Sequence, residues 1–421
     1  MTVGRTLLAA SLAAAVLSPQ AAGALSLSEA ITLAQRDNPG LAQTRAQADA
    51  ARARLNQARA AGLPSLTLTG EAGEGTTDLG GFFGFGQSDV SPRGAALQLR
   101  QPLFAGGAIV AGVSRATAAR EAALAQLGGA KALLAAQTAE AYVAVLTARE
   151  VLGLNEAQVR QMNEISRQAE LRFKGGEIPR TDVAQAQARL AEARAGLARA
   201  QGDVARSRAH FLSIVGAEPE GLEATPAPPP TPLSVDEAMT IALGSSPALL
   251  SARAAERAAR AGVRAAEGER LPSLALTATA STTRDQFFPG YRADGVTVGV
   301  QGRWTLFAGG GINGRVEEAR ATARAARSGL DMTHAQVREA VVGAWQDVAT
   351  SRAVSLAASD QATAAASALD SVRHEVRVGQ KPTLDLLDAE REALAAESGL
   401  IAARGGAVVA AYRLNALLHG E

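Results

Sequence analysis

Asp385 and Asp388 stand three residues apart, just after Lys381, in a segment whose pattern reads as the first turns of a helix. Side chains three apart on a helix share a face, so the two carboxylates point the same way. Such a pair can work on cations, or it can simply complement the positive end of a helix dipole. Nothing nearby adds catalysis. His210, His334, His374 and His419 are scattered, without metal-ligand spacing. No nucleophile elbow or zinc motif appears. The glycine-rich run Leu79-Gly80-Gly81-Phe82-Phe83-Gly84-Phe85-Gly86 lacks the lysine and following Ser or Thr of a phosphate loop. The residues point to no enzyme, no cofactor and no resident metal.

Composition narrows the class. Net charge is +1 with acidic and basic residues interspersed, which gives no footprint for nucleic acid. Aromatics make up only 3%, too few for a bulky globular core, whereas alanine, leucine, arginine, glutamate and glutamine suit long packed helices. With no cysteine there is neither a disulfide nor a site for an N-terminal lipid anchor. Arg5, an apolar run from Leu7 to Leu17 and Ala22-Gly23-Ala24 read as a secretory signal over 1–24, cleaved after Ala24. The apolar run is too short to cross a bilayer as a helix.

The elements that carry the aspartates occur twice. Ser28-Glu29-Ala30 is echoed by Asp236-Glu237-Ala238, Asn38-Pro39 by Ser246-Pro247, and Leu63-Pro64-Ser65-Leu66 by Leu271-Pro272-Ser273-Leu274, all at an offset of 208. From Phe104 and Phe307 onward the offset is 203: Gly176 matches Gly379, Pro179 matches Pro382, and Asp182 matches Asp385. The length difference therefore falls inside a strand hairpin, where loops tolerate it. The equal spacing beyond it fits long helices lying alongside one another, since one inserted residue would rotate every later side chain by about 100°. The first repeat spans 25–224, with a helix over 25–62, strands near 65–77 and 94–104, a helix from about Ala108 to Lys174, a tip near 174–180 and a helix from about Thr181 to Val215. A Pro-rich linker, 225–232, is extended. The second repeat, 233–421, has strands near 273–283 and 295–306 and a tip near 377–383.

The helix from Ala108 would be about 100 Å long. Leu134, Ala141, Val145, Ala148, Leu152, Val159 and Met162 step by three and four, as do Val337, Val341, Ala344 and Val348, in coiled-coil spacing. Thr138, Asn155 and Ser166 interrupt the stripe, which suits a shared wall better than a thick core. The strands alternate. Leu66 and Leu68, Leu97 and Leu99, Leu274 and Leu276, and Val296, Val298 and Val300 form one aliphatic face, and Thr, Gln and Arg form the other. Runs of about 9–11 such residues can cross a membrane when tilted. An ordinary sheet with one face on a core is the competing reading. Four strands cannot close a barrel, which needs about eight, and open edges are not tolerated in lipid. The strands must then be shared between chains. The aromatic loops near Phe82 and near Phe287, Phe288 and Tyr291 fit an interfacial girdle.

The tandem repeat, the Leu-Pro-Ser-Leu openings, the Leu-Phe-Ala-Gly-Gly closings and the tips at Gly176 and Gly379 together resemble the TolC-type outer-membrane factors of tripartite efflux pumps and type I secretion. The resemblance implies a mainly α fold with a membrane β-barrel. It implies a homotrimer with a shared 12-stranded barrel in outer-membrane lipid and a periplasmic α-helical barrel. A periplasmic adaptor and an inner-membrane pump or ABC exporter are the implied partners. By motif match, Gly176, Val378 and Gly379 would contact the adaptor. Lys381 stands where the family often has a gating arginine, and Asp182 matches a carboxylate it can pair with. Asp385 and Asp388 would form carboxylate rings at the pore mouth, and such rings favour cations. Gly175 replaces the usual valine of the first tip, and Val376 stands where some members carry a gating tyrosine. The implied function is a passive, gated exit duct whose cargo, a small molecule, a metal cation or an unfolded polypeptide, is chosen upstream. Two other classes fit parts of the pattern. A periplasmic coiled-coil adaptor or scaffold predicts one hairpin and no alternating strands. An exported helical binding protein would need no detergent.

Overall fold

A computed structural model describes residues 24–81 and 86–419; the expected signal, save Ala24, and the aromatics Phe82, Phe83 and Phe85 lie outside these residues. The first half runs α1 (Leu27–Asp37), α2 (Pro39–Ala60), β1 (Ser65–Ala72), β2 (Gly75–Asp78), β3 (Gln87–Val90), β4 (Arg93–Ala105), α3 (Ala108–Lys174) and α4 (Arg180–Val215). The second runs α5 (Val235–Ser245), α6 (Pro247–Gly268), β5 (Ser273–Arg284), β6 (Arg292–Arg303), α7 (Gly311–Arg377) and α8 (Thr383–Leu418). Helix lengths repeat in order, 11, 22, 67 and 36 residues in each half. Residues 225–232 form neither helix nor strand.

The expected helix over 25–62 is two helices. Pro39 has no N–H for the helix ladder and sits at the first position of α2. Asn38 caps it, its carboxamide oxygen accepting from the Gly40 and Leu41 amides at 2.9 and 3.2 Å. The first hairpin is also more divided than expected: its tip is a separate two-stranded ribbon, β2–β3, in which Gly75 faces Val90 and Asp78 faces Gln87. The second hairpin turns through Asp285 and Gly290, both at positive φ, with Tyr291 packed edge-on against Phe287 and Phe288.

β1, β4, β5 and β6 form one antiparallel sheet in that order. The register aligns the faces across all four strands. Leu66, Leu99, Ala278 and Val298 make one row, and Leu68, Leu97, Ala280 and Val296 the next. Thr67, Gln98, Thr279 and Thr297 form a row on the opposite face. The aliphatic face is bare: Leu68 is 71% exposed and Val296 78%. β1 and β6 are exposed along their whole length and border the sheet, each with a free edge among the described residues.

The chain divides into two units. One joins residues 24–36 with Thr138–Ala227 and Ala357–Val408. Its core holds Tyr142, fully buried, with the Phe211 ring 6.4 Å away. The Tyr142 hydroxyl donates to the Leu25 carbonyl at 2.8 Å and the Glu223 carbonyl at 3.0 Å, tying down the strand-like pairing of Leu25 with Leu222. Burial is the main cause that pushes the Tyr142 hydroxyl above its ordinary pKa. The other unit holds described residues of Asp37–Gln137, Pro228–Leu356 and 409–419. There the α7 stripe Val337, Val341 and Val348 is buried against Ala238, Ala242, Leu249, Leu414 and Leu418. α8 is apolar enough in composition to cross a membrane, but Leu387, Ala396, Leu400, Leu414 and Leu418 are buried in protein cores, which accounts for that composition.

Candidate functional site

The two tips close with the same backbone device. At the first, the Gly175 amide donates to Leu171 O, Gly176 to Phe173 O and Glu177 to Arg172 O, at 3.1, 3.0 and 2.9 Å. At the second, Val378 donates to His374 O, Gly379 to Val376 O and Gln380 to Glu375 O, at 3.1, 3.1 and 2.8 Å. The central residue of each must adopt positive φ, +75° at Gly176 and +78° at Gly379. This left-handed geometry is costly for a side chain bearing Cβ. Val378 projects outward, exposed.

The salt bridges that brace the tips have opposite polarity. Arg172 Nε binds Glu177 at 3.0 Å in the first tip, while Lys381 Nζ binds Glu375 at 2.8 Å in the second. The hydrogen bond that the Lys381 ammonium donates to the Glu375 carboxylate is the main cause that holds it above its ordinary pKa. Within one chain, then, Lys381 pairs with Glu375 and not with Asp182. Asp182 lies in the first turn of α4, where Thr181 Oγ1 reaches its carboxylate at 3.4 Å. Asp385 occupies the matching first turn of α8.

The aspartates three apart have different surroundings. Between them, Leu387 is buried against Met162, Ile165, Ala169 and Ala186 of the α3–α4 pair. That packing brings α8 onto α4, and Asp388 accepts from Arg189 Nη2 at 3.0 Å, with Arg391 at 3.9 Å. Asp385 stays half-buried beside Lys381, whose charge it also feels.

One pair was missed by sequence reasoning. Glu390 is 4% exposed, and Arg373 grips one of its carboxylate oxygens through Nε at 3.1 Å and Nη2 at 2.8 Å. Subtracting the repeat offset of 203 lands on Glu170 and Gln187, which also touch, Gln187 Nε2 donating to Glu170 at 3.1 Å. That offset is the signal that could have found the pair. The described residues hold no cluster of His, Asp and Glu fit for a metal.

A sequence profile for the outer membrane efflux protein family matches residues 30–217 and again 239–420, once per half. The outer membrane efflux protein BepC of Brucella suis is 32% identical over 410 residues, covering 96% of this chain and 87% of that protein. The outer membrane protein TolC of Escherichia coli is 26% identical, covering 88% and 77%. Among solved structures, the Campylobacter jejuni CmeC outer membrane channel has the same fold, with a TM-score of 0.83 over 94% of this chain and 85% of that one at 16% identity. With two matches that repeat at the same spacing as the helices, the chain belongs to the outer membrane efflux protein family.

Proposed function

We propose that three copies of this chain close into one exit duct through the outer membrane, passive and fed by a partner pump. The observation that carries the reading is the four-stranded sheet, bare and aliphatic on one face, polar on the other, with an open strand at each border. In lipid an unpaired border leaves backbone groups without partners, each costing several kcal/mol. Each copy adds four strands, so three supply a barrel of twelve, above the minimum of about eight. The long helices continue the duct into the periplasm as a helical tunnel.

The tips are the end that meets other proteins. Gly176, Val378 and Gly379 form exposed turns suited to a helical hairpin of a periplasmic adaptor, which links the duct to an inner-membrane pump or ABC exporter. Asp385 and Asp388 ring the mouth and favour cations. Asp182 and Lys381 serve as the gate between neighbouring copies: opening requires Lys381 to exchange partners, since each chain already holds it on Glu375. The rival adaptor reading calls for a single hairpin and no alternating strands. Its expectation meets two strand hairpins and two helix tips here.

The test uses the full-length protein in detergent. It should run as a trimer, fractionate with outer membranes and open small cation-selective conductances in planar bilayers. Asp385→Ala with Asp388→Ala should weaken that selectivity. Unchanged selectivity removes the carboxylate rings and leaves the duct. A monomer that extracts without detergent ends the duct reading.

A further inference from the structure

The stretch after β6 is the most exposed apolar segment beside the sheet. Trp304, Leu306 and Phe307 are 61%, 78% and 87% exposed, and the ladder of β6 stops at Arg303. At the repeat offset of 203 these residues match Gln101, Leu103 and Phe104, which continue β4 as strand to Ala105. The difference has a local cause. β4 continues because β5 lies beside it: Gln101 faces Leu276, Pro102 faces Ala275, Phe104 faces Leu274 and Ala105 faces Ser273. With that cover Phe104 falls to 42% exposed. Among the described residues no strand lies beside residues 304–308.

The base of each hairpin is otherwise held alike. Gln101 Nε2 donates to the Gly62 carbonyl at 2.9 Å, and Trp304 Nε1 donates to the Arg270 carbonyl at 3.1 Å. Gly62 and Arg270 are themselves matched at the other offset, 208. The second half therefore presents the edge that the first half presents, and the start of β1, Ser65-Leu66-Thr67-Leu68-Thr69, matches the start of β5, Ser273-Leu274-Ala275-Leu276-Thr277. The junction between β4 and β5 inside the chain is a template for a junction between chains.

Resting on the trimeric duct, we propose that residues 303–308 of one copy pair with residues 65–69 of the next in the register used inside the chain by Arg100–Ala105 and Ser273–Thr277. Carrying the internal pairs across by the two offsets sets Arg303 opposite Thr69, Trp304 opposite Leu68, Thr305 opposite Thr67, Phe307 opposite Leu66 and Ala308 opposite Ser65. This register keeps Leu66 and Leu68 on the aliphatic face and Thr67 and Thr69 on the polar one. A slip of one residue would turn a whole strand to the wrong side. It is head-to-tail, joining two different edges, as a closed ring requires. Thr305 also supplies the backbone N–H that Pro102 lacks at the internal junction.

The two kinds of seam cannot be identical. Inside the chain the backbones touch where Gly106 meets Gly268: a Cβ built on Gly268 would lie 2.2 Å from Gly106 O, and one on Gly106 would lie 2.1 Å from Gly268 O. At the seam between copies the matching residues are Gly309 and Ala60. The methyl of Ala60 forbids the same approach, so that seam opens beyond its last paired residues, Ala308 and Ser65, while the ladder itself keeps strand spacing.

The chain has no cysteine, so engineered thiols report cleanly. Thr67→Cys with Thr305→Cys places two thiols directly opposite on the wet face, within disulfide reach. Thr69→Cys with Thr305→Cys is the same-face control displaced by two residues, where the diagonal spacing is about 7–8 Å. Mild oxidation of the trimer in detergent should link the first pair about tenfold faster than the control, since only facing Cβ atoms suit a disulfide, and yield a covalent ring. A trimer in which the control links as fast, or neither pair links, overturns the register and leaves the duct standing. Dimers formed by Thr305→Cys alone reveal like edges pairing and overturn the proposal. A chain that is monomeric before oxidation overturns both the register and the duct.

Discussion

Tyr142 and Trp345 stand at the same place in the two halves, 203 residues apart on α3 and α7. Each donates to the segment that leads into its half's first helix. Tyr142 bonds Leu25 O at 2.8 Å and Glu223 O at 3.0 Å, and Trp345 Nε1 bonds Pro232 O at 3.3 Å. The partners behind them also correspond, Phe211 with Leu414 and Val215 with Leu418, all buried. The lesson is that the repeat preserves a task and not a residue: a side-chain donor from the long helix must tie down the backbone that leads into each half. Charges are freer. The tip braces Arg172–Glu177 and Glu375–Lys381 are inverted, and in place of the contact Glu170–Gln187 stands the ion pair Arg373–Glu390, its carboxylate buried and its guanidinium partly exposed.

That last exchange gives the largest predicted contrast. Arg373→Ala leaves Glu390 charged, buried and without its partner, which costs about 3–5 kcal/mol. Glu170→Ala at the matched site breaks a contact open to solvent and should cost under about 1 kcal/mol. Urea midpoints of the two variants in one detergent compare them directly. Equal midpoints would mean that Glu390 reaches water and that the halves are alike here after all.

The aromatic anchors should differ next. Tyr142→Phe keeps the ring and strips a donor from two carbonyls in a buried site, for about 1–3 kcal/mol. Trp345→Phe loses one long bond at a half-buried site and should cost less, about 1 kcal/mol beyond the packing change. Thermal unfolding of both variants orders them. If Trp345→Phe proves the more damaging, its main task is filling space among Leu414, Val341 and their neighbours.

Helix bounds and strand faces were open to sequence reading because they depend on local pattern. Ala108 and Lys174 stand just inside the glycine pairs Gly106-Gly107 and Gly175-Gly176 that bound the long helical pattern, and Leu66, Leu68, Val296 and Val298 alternate without exception. The break at Asn38-Pro39 had its signals, a capping side chain and a first-turn proline, in a stretch read as one helix. The expected strand near 295–306 runs through Trp304, whereas the ladder of β6 stops at Arg303. That it stands uncovered depends on which strand lies beside it, and sheet order is not local. At the second tip, spacing placed Asp385 and Asp388 on one face but could not reveal Arg189, almost 200 residues earlier in the chain, which reaches Asp388 only because Leu387 packs onto α4.

Arg189 leads to the smallest prediction, one that sets the two aspartates against each other. The first half contributes a guanidinium that blunts a carboxylate of the second, whereas Asp385 makes no salt bridge among the described residues and lies beside Lys381, already held by Glu375. Both partners of the Arg189–Asp388 bridge are partly exposed, so its loss should change stability by under about 1 kcal/mol. The readout is therefore permeability, not unfolding. If Asp388 faces the pore, Arg189→Ala unmasks it and raises the preference for cations, while Asp388→Asn lowers it, and added salt shrinks both effects by screening. Reversal potentials across a salt gradient measure the sign in each case. Should Arg189→Ala leave selectivity untouched while Asp385→Asn reduces it, the pore would carry one ring of carboxylates, and Asp388 would serve to fasten α8 to α4.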